Sequence, residues 1–162
     1  MSNYVFNTSP IQYFHQIGRL DLLTALLGKV IVTTAVVQEI ALGMELGLDL
    51  PDLKKLDYIE IRDPTKNLHA FLKSNLGAGE ISVIALALEK GDITAVLDDR
   101  PARRTAVSFG IPITGTLGLL LDAKNHGLIQ TVEAILDELM AKRFRLSANA
   151  RDAILRLSGE KA

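Results

Sequence analysis

The fold of this chain is decided by residues 93–102, which read ITAVLDDRPA. The first half is apolar and predicts a short strand buried on both faces of a sheet. The acid pair Asp98 and Asp99 follows at the end of that strand, and Pro101 suits the first turn of a helix. The stretch therefore predicts a strand that turns, through two carboxylates, directly into a helix.

The same alternation of strand and helix extends over the rest of the chain. Further strands are predicted at 4–6, 30–32, 58–61 and 111–113. Apolar residues at helical spacing predict the helices between them, with Ser9 as the N-cap of the first and a short helix over 65–74. Such alternation favours parallel pairing and helices on both faces of the sheet. We therefore predict an α/β fold with a central, mostly parallel sheet of about five strands.

Length and composition fit an ordinary globular protein. The chain has 162 residues, 48% hydrophobic and 23% charged, with a formal net charge of −1. This balance excludes a global positive field that would draw the protein to nucleic acid or to an anionic membrane. The lack of cysteine excludes disulfides, thiolate metal sites and thiol nucleophiles. We expect a cytoplasmic protein, without membrane span or signal peptide, that forms a single domain over 1–162, with the helices over 131–160 as a candidate appendage.

Polar residues collect where the predicted strands end. Asn7 follows the first strand in the same way that Asp98 and Asp99 follow the fourth. Ligands of open parallel sheets bind outside the carboxyl ends of the strands, so we expect these side chains at one edge. Two more acids are placed suggestively: Glu80 lies in the first turn of an apolar helix, and Glu39 lies among apolar helical residues.

Each of these residues also has a purely structural interpretation. Glu80 suits the positive end of a helix, and Asp98 and Asp99 suit helix caps. Asn7 alone indicates a turn, and Glu39 alone indicates a solvated helical acid. In one cleft, however, the four carboxylates would repel one another. Mg²⁺ or Mn²⁺, which prefer oxygen ligands, would relieve that repulsion and could activate water against a phosphodiester.

Two basic groups lie near the ends of predicted helices. Arg100, Arg103 and Arg104 directly follow the acid pair and are either helix-surface charges or contacts to phosphate. The second group, KRFR at 142–145, lies near a helix C-terminus, where cations suit the helix dipole. For this second group we favour the structural interpretation.

In combination, six stretches give the chain a resemblance to the PIN-domain family of metal-dependent ribonucleases, and within it to a prokaryotic branch similar to toxins of the VapC type. The stretches are NTSP at 7–10, GRLDLL at 18–23, VQEI at 37–40, GE at 79–80, LDDRPAR at 97–103 and GTLG at 115–118. The resemblance covers nearly the whole chain. It implies a three-layer α/β/α sandwich that cuts RNA with Mg²⁺ or Mn²⁺, often as a homodimer and often inhibited by a small antitoxin protein.

The resemblance also implies roles for single residues. The acids of the family fall on Glu39, Glu80 and Asp99, which would be catalytic and hold the metal, and Asp98 is an adjacent further ligand. The family has Asp where this chain has Asn7. An amide oxygen can still bind a metal, but it brings no charge, so we expect weaker binding of a divalent ion.

The leading hypothesis is therefore a metal-dependent endoribonuclease, whose RNA is contacted by Arg100, Arg103 and Arg104. The alternative is a catalytically impaired PIN-like module that binds RNA or a protein partner, motivated by Asn7. A phosphohydrolase ranks last, because its nucleophilic aspartate would have to stand at position 7.

Overall fold

A computed structural model describes residues 3–68 and 76–162, and within them five strands form one sheet surrounded by eight α-helices. The strands are β1 (Asn3–Phe6), β2 (Val30–Val32), β3 (Ile59–Ile61), β4 (Ile93–Val96) and β5 (Ile113–Thr114). The helices are α1 (Thr8–Gln16), α2 (Leu20–Leu27), α3 (Thr34–Glu45), α4 (Ala78–Lys90), α5 (Arg100–Ser108), α6 (Thr116–Asn125), α7 (Val132–Ala141) and α8 (Ala148–Leu157).

The sheet has the order β3-β2-β1-β4-β5, and every pairing is parallel. The predicted α/β/α sandwich with a five-stranded sheet is thus confirmed. The central strand β1 pairs through Val5 with Ile31 on one side and with Ala95 on the other. All three of these residues are buried, as an apolar strand between two helical layers requires.

Parallel pairing brings the ends of β1 and β4 to the same edge of the sheet. The backbone amide of Asn7 donates to the Val96 carbonyl at 3.1 Å, so the ends of β1 and β4 are joined just where the chain leaves the sheet. Two helices begin immediately afterwards, α1 at Thr8 and α5 at Arg100. This edge holds the candidate site.

Two predictions about helices differ from the structure, and the fifth strand lies at Ile113–Thr114 rather than 111–113. The first helix begins at Thr8 with Asn7 in the N-cap position, so Ser9 is a helical residue and not the cap. Pro10 is tolerated there because the first helical amides have no partner within the helix. Residues 65–68 are not helical, and the remainder of the helix predicted over 65–74 lies outside the described residues.

The apolar residues of α1 and α2 are used inside the protein. Ile11, Phe14, Leu22 and Leu23 all belong to the buried core. These residues therefore pack inside the protein and do not form a dimer surface. In the described part of the chain, no helix is long and apolar enough to cross a membrane.

The chain end fastens the last two helices to α6. Glu160 is 12% exposed, and its carboxylate accepts hydrogen bonds from Lys124 Nζ at 2.8 Å and from the amides of Val132 at 2.7 Å and Glu133 at 3.0 Å. Burial opposes ionisation of Glu160, but these hydrogen bonds outweigh it and lower its pKa to about 2. A single carboxylate thus joins α6, the start of α7 and the end of the chain.

Replacing Glu160 with Gln should weaken the fold in a pH-dependent way. Because the folded pKa lies below the ordinary value, the stabilisation is present at neutral pH and is lost as the pH falls toward 2. We expect E160Q to lower the free energy of unfolding by about 1–2 kcal/mol at pH 7, with the difference shrinking between pH 5 and pH 2. Urea unfolding at several pH values measures this. Asp137→Asn, which breaks an ion pair of an exposed acid, is the control and should have little effect; a pH-independent loss in E160Q would contradict the assignment.

Candidate functional site

Glu39 is held between two helix N-termini. Its Oε2 accepts a hydrogen bond from the Thr8 hydroxyl and its Oε1 accepts one from the Gly79 amide, both at 2.8 Å. Thr8 begins α1, and Gly79 lies in the first turn of α4. The carboxylate is therefore fixed at the edge of the sheet, and it satisfies an amide that the helix itself leaves free.

Gly79 is required by this close approach. A Cβ at Gly79 would lie 2.6 Å from both carboxylate oxygens of Glu39. A Cβ at Gly77 would instead lie 3.9 Å from Glu39 Oε1 and 3.8 Å from Glu80 Oε1, which is ordinary contact. The two carboxylates thus flank the same glycine.

Glu80 lies near both Glu39 and Asp99. These three acids are called the acidic cluster below. Glu80 accepts a hydrogen bond from the Gly77 amide at 3.0 Å. Burial raises the pKa of Glu80 most, the Gly77 hydrogen bond lowers it in part, and the carboxylates of Asp99 and Glu39 raise it further. Asp99 is exposed and caps α5, accepting from the Ala102 amide at 3.2 Å. Asp99 and Glu39 are therefore close enough to Glu80 to disfavour its charge.

Asn7 lies beside this cluster and has an unsatisfied oxygen. Its side chain is 6% exposed, and Oδ1 is the buried side-chain atom within residues 3–68 and 76–162 that lacks a hydrogen-bond partner. A buried acceptor without a partner costs about 1–3 kcal/mol and calls for an explanation, of which a bound ion is one. The next residue in the chain, Thr8, donates to Glu39.

Asp98 faces a different set of groups from its neighbour Asp99. One oxygen of Asp98 accepts a hydrogen bond from the Thr116 amide at 2.8 Å, and the other accepts one from the Thr116 hydroxyl at 2.6 Å. Asp98 thereby caps α6. Burial raises the pKa of Asp98, whereas the Thr116 hydrogen bonds and Arg103 lower it. Arg103 in turn donates to the Leu97 carbonyl at 2.8 Å. Asp98 and Arg103 thus support the turn after β4, and Asp98 is not brought into the acidic cluster.

The donor set fits a hard divalent ion in kind, since it consists of carboxylate and amide oxygens. Among the described residues, no three His, Asp or Glu side chains form a ready-made coordination group. The oxygens of Glu39, Glu80 and Asp99 accept hydrogen bonds from helix amides and from the Thr8 hydroxyl.

A cleft of about 700 Å³ opens beside the cluster, between the start of α5 and the α7–α8 turn. The residues lining it are Ser9, Tyr13, Asp98, Asp99, Arg100, Pro101 and residues 143–147. Of the predicted RNA-binding arginines, Arg100 lines this cleft, Arg103 lines an adjoining one, and Arg104 is exposed on α5.

The sequence pattern favours a structural role for Arg143 and Arg145, as charges that suit a helix dipole, and does not indicate their place in the cleft. Both line the cleft. Burial raises the pKa of the Tyr13 hydroxyl, as does Asp98, and Arg145 lowers it, so Arg145 acts on the cleft interior. One feature of the sequence does single out this turn: most helices of the chain are followed by a glycine, whereas α7 is followed by Lys142 and Arg143.

A parallel sheet with carboxylates gathered at its carboxyl edge defines an α/β protein with a hydrolase-type candidate site. A family model described as a PIN domain, DUF3368, matches residues 3–160. The chain therefore belongs to the PIN-domain family, whose members are generally nucleases. No curated protein matches the sequence in the comparison made.

Replacing Gly79 with Ala should dislodge Glu39, because the new methyl group would occupy the position of its carboxylate. We expect G79A to lower the free energy of unfolding by about 1–3 kcal/mol, although Ala is the better helix former. G77A is the matched control and should cost less than about 1 kcal/mol. Urea unfolding in EDTA compares the two, and equal stabilities would contradict the contact between Glu39 and Gly79.

Proposed function

We propose that this protein is a metal-dependent endoribonuclease that hydrolyses RNA phosphodiester bonds. The observation that supports it is the action of Asp99 and Glu39 on the charge of Glu80 at the carboxyl edge of a PIN-domain sheet, together with the unsatisfied oxygen of Asn7 at the end of β1. Asp99 and Glu39 disfavour the charge of Glu80, and a divalent cation is the group that would relieve this repulsion.

The residues of the cluster have distinct parts in this proposal. Glu39, Glu80 and Asp99 would hold Mg²⁺ or Mn²⁺, and Asn7 would add a neutral oxygen. Such an ion activates water and stabilises the charge that develops on the phosphate. The Thr8 hydroxyl and the Gly79 amide orient Glu39 for this task. Asp98, also predicted as a ligand, is given a supporting place in this proposal, because Asp99 and Glu39 act on the charge of Glu80 whereas Asp98 caps α6 through Thr116.

Asp99→Asn tests the proposed mechanism without removing the helix cap, because Asn caps helices as well as Asp does. With Mg²⁺ or Mn²⁺ present, we expect D99N to cut a labelled RNA at least about 100-fold more slowly than the native chain, at nearly unchanged melting temperature. Asp52→Asn is the matched control, since Asp52 caps a turn at Leu53–Lys55 away from the cluster. Cleavage in EDTA, or full activity in D99N, would refute the mechanism.

The second candidate is a catalytically impaired PIN-like module that binds RNA or a protein partner. It is favoured by Asn7, which brings no charge, and by the lack of a ready-made group of three ligating acids in the described residues. The two candidates differ in what a charge at position 7 would change.

Asn7→Asp separates them. If the native centre is active, N7D should raise divalent affinity, seen as a larger Mn²⁺-induced rise in melting temperature, and should change the cleavage rate by less than about tenfold. A much larger gain in rate would identify the native centre as impaired. In EDTA we expect N7D to be less stable than the native chain, because it adds a buried charge beside three acids.

The finer details rest on the resemblance to VapC-type toxins. We propose that the nuclease is the toxin of a toxin–antitoxin pair, inhibited by a small antitoxin protein, and that it forms a homodimer. Exposed Leu42, Leu46 and Leu48 at the end of α3 offer an apolar surface for either contact. Expression without an antitoxin should then arrest growth, and D99N should not.

A further inference from the structure

The turn after α7 has an unusual backbone conformation. The amides of Arg143 and Phe144 donate to the carbonyls of Met140 and Leu139, both at 3.0 Å, and Arg143 has φ 68°. The same pair of hydrogen bonds ends five other helices, and there the residue with positive φ is Gly18, Gly47, Gly110, Gly127 or Gly159. Within the described residues, Arg143 is the one non-glycine residue with positive φ.

An arginine in this position is strained, because its Cβ crowds the backbone in the left-handed region. Residues held in such conformations occur preferentially at functional sites. Glycine would form the same turn without strain, as it does five times in this chain. The turn therefore carries an arginine side chain at the cost of backbone strain, and that side chain is the feature to explain.

The surrounding contacts hold the turn against the cleft. Phe144 packs edge-on against Tyr13, with ring centroids 4.9 Å apart and an interplanar angle of 81°, and Leu146 packs on the core. Arg143 precedes Phe144, and Arg145 lies between Phe144 and Leu146. Both arginines are exposed and line the same cleft as Arg100. The turn thus alternates partly buried apolar anchors with charges that line the cleft.

These arginines lack ion-pair partners. Among residues 3–68 and 76–162, no carboxylate lies within ion-pair distance of Arg100, Arg143 or Arg145, whereas Arg19, Arg62 and Arg151 each have one. A guanidinium without a partner retains its donors for a ligand, and its planar fork matches phosphate. An anionic strand would also need such charges to approach a cluster of three carboxylates.

We infer that Arg143 and Arg145, together with Arg100, bind the backbone phosphates of a single-stranded RNA in this cleft. The inference rests on the proposed function, and it extends that function by assigning the α7–α8 turn to substrate binding. Arg143 and Asp99 line the same cleft, so the strand would run from this turn across the acidic cluster.

The test separates charge from strain by two substitutions at one position. Fluorescence anisotropy in EDTA, with a fluorescein-labelled single-stranded RNA of 20 nucleotides and the full chain, measures binding without cleavage. We expect R143G and R143A each to weaken binding about five- to tenfold and to make its salt dependence shallower by about 0.7. R143G should also raise the melting temperature by about 2–4 °C, and R143A should not.

Lys29→Ala is the matched loss of one charge, since Lys29 is exposed at the amino end of β2, on the opposite edge of the sheet. It should bind RNA within twofold of the native chain. Unchanged binding in R143G and R143A would overturn the inference, as would equally tight binding of an acidic peptide of the same charge. Failure of the native chain to cut RNA with Mg²⁺ or Mn²⁺ would instead count against the proposed function alone.

Discussion

The site depends on one interaction, the contact of the Glu39 carboxylate with the Gly79 amide at the N-terminus of α4. It joins α3 to α4 across the edge of the sheet and brings two acids, Glu39 and Glu80, around the same short glycine turn. Because Gly79 has no side chain, the carboxylate reaches the helix amides directly. Without this contact, Glu39 would be free to extend into solvent and the cluster would lose its fixed member.

Helix N-termini make such a concentration of negative charge tolerable. The carboxylate of Glu39 contacts the first turns of α1 and α4. Glu80 lies in the first turn of α4, and Asp99 caps α5. Each carboxylate therefore receives amide hydrogen bonds or the favourable end of a helix dipole. This compensation is incomplete, since the pKa of Glu80 is still raised by burial and by its acidic neighbours. The remaining repulsion is what a bound cation would relieve.

The same physics explains why neighbouring residues divide their roles. Asp98 and Asp99 are adjacent in the chain, but successive side chains at the end of a strand point in different directions. Asp98 turns inward to cap α6 through Thr116, and Asp99 turns outward to cap α5 beside the cluster. On the other wall of the cleft, Phe144 and Leu146 anchor a turn that presents arginines. Side chains that hold the fold thus alternate on both walls with side chains that face the cleft.

Periodicity and strand-end chemistry by themselves determined the α/β class, the five strands and the edge at which Asn7, Glu80 and Asp99 lie, because apolar patterning is local and parallel strands share one carboxyl edge. Tertiary structure decided which acids meet. Whether Glu39 is solvated or bound depends on Gly79, forty residues away, and Asp98 caps α6 because Thr116 reaches it. The place of Arg143 in the cleft was likewise decided by packing of the α7–α8 turn on Tyr13. Such contacts join distant segments, so no spacing within one segment encodes them.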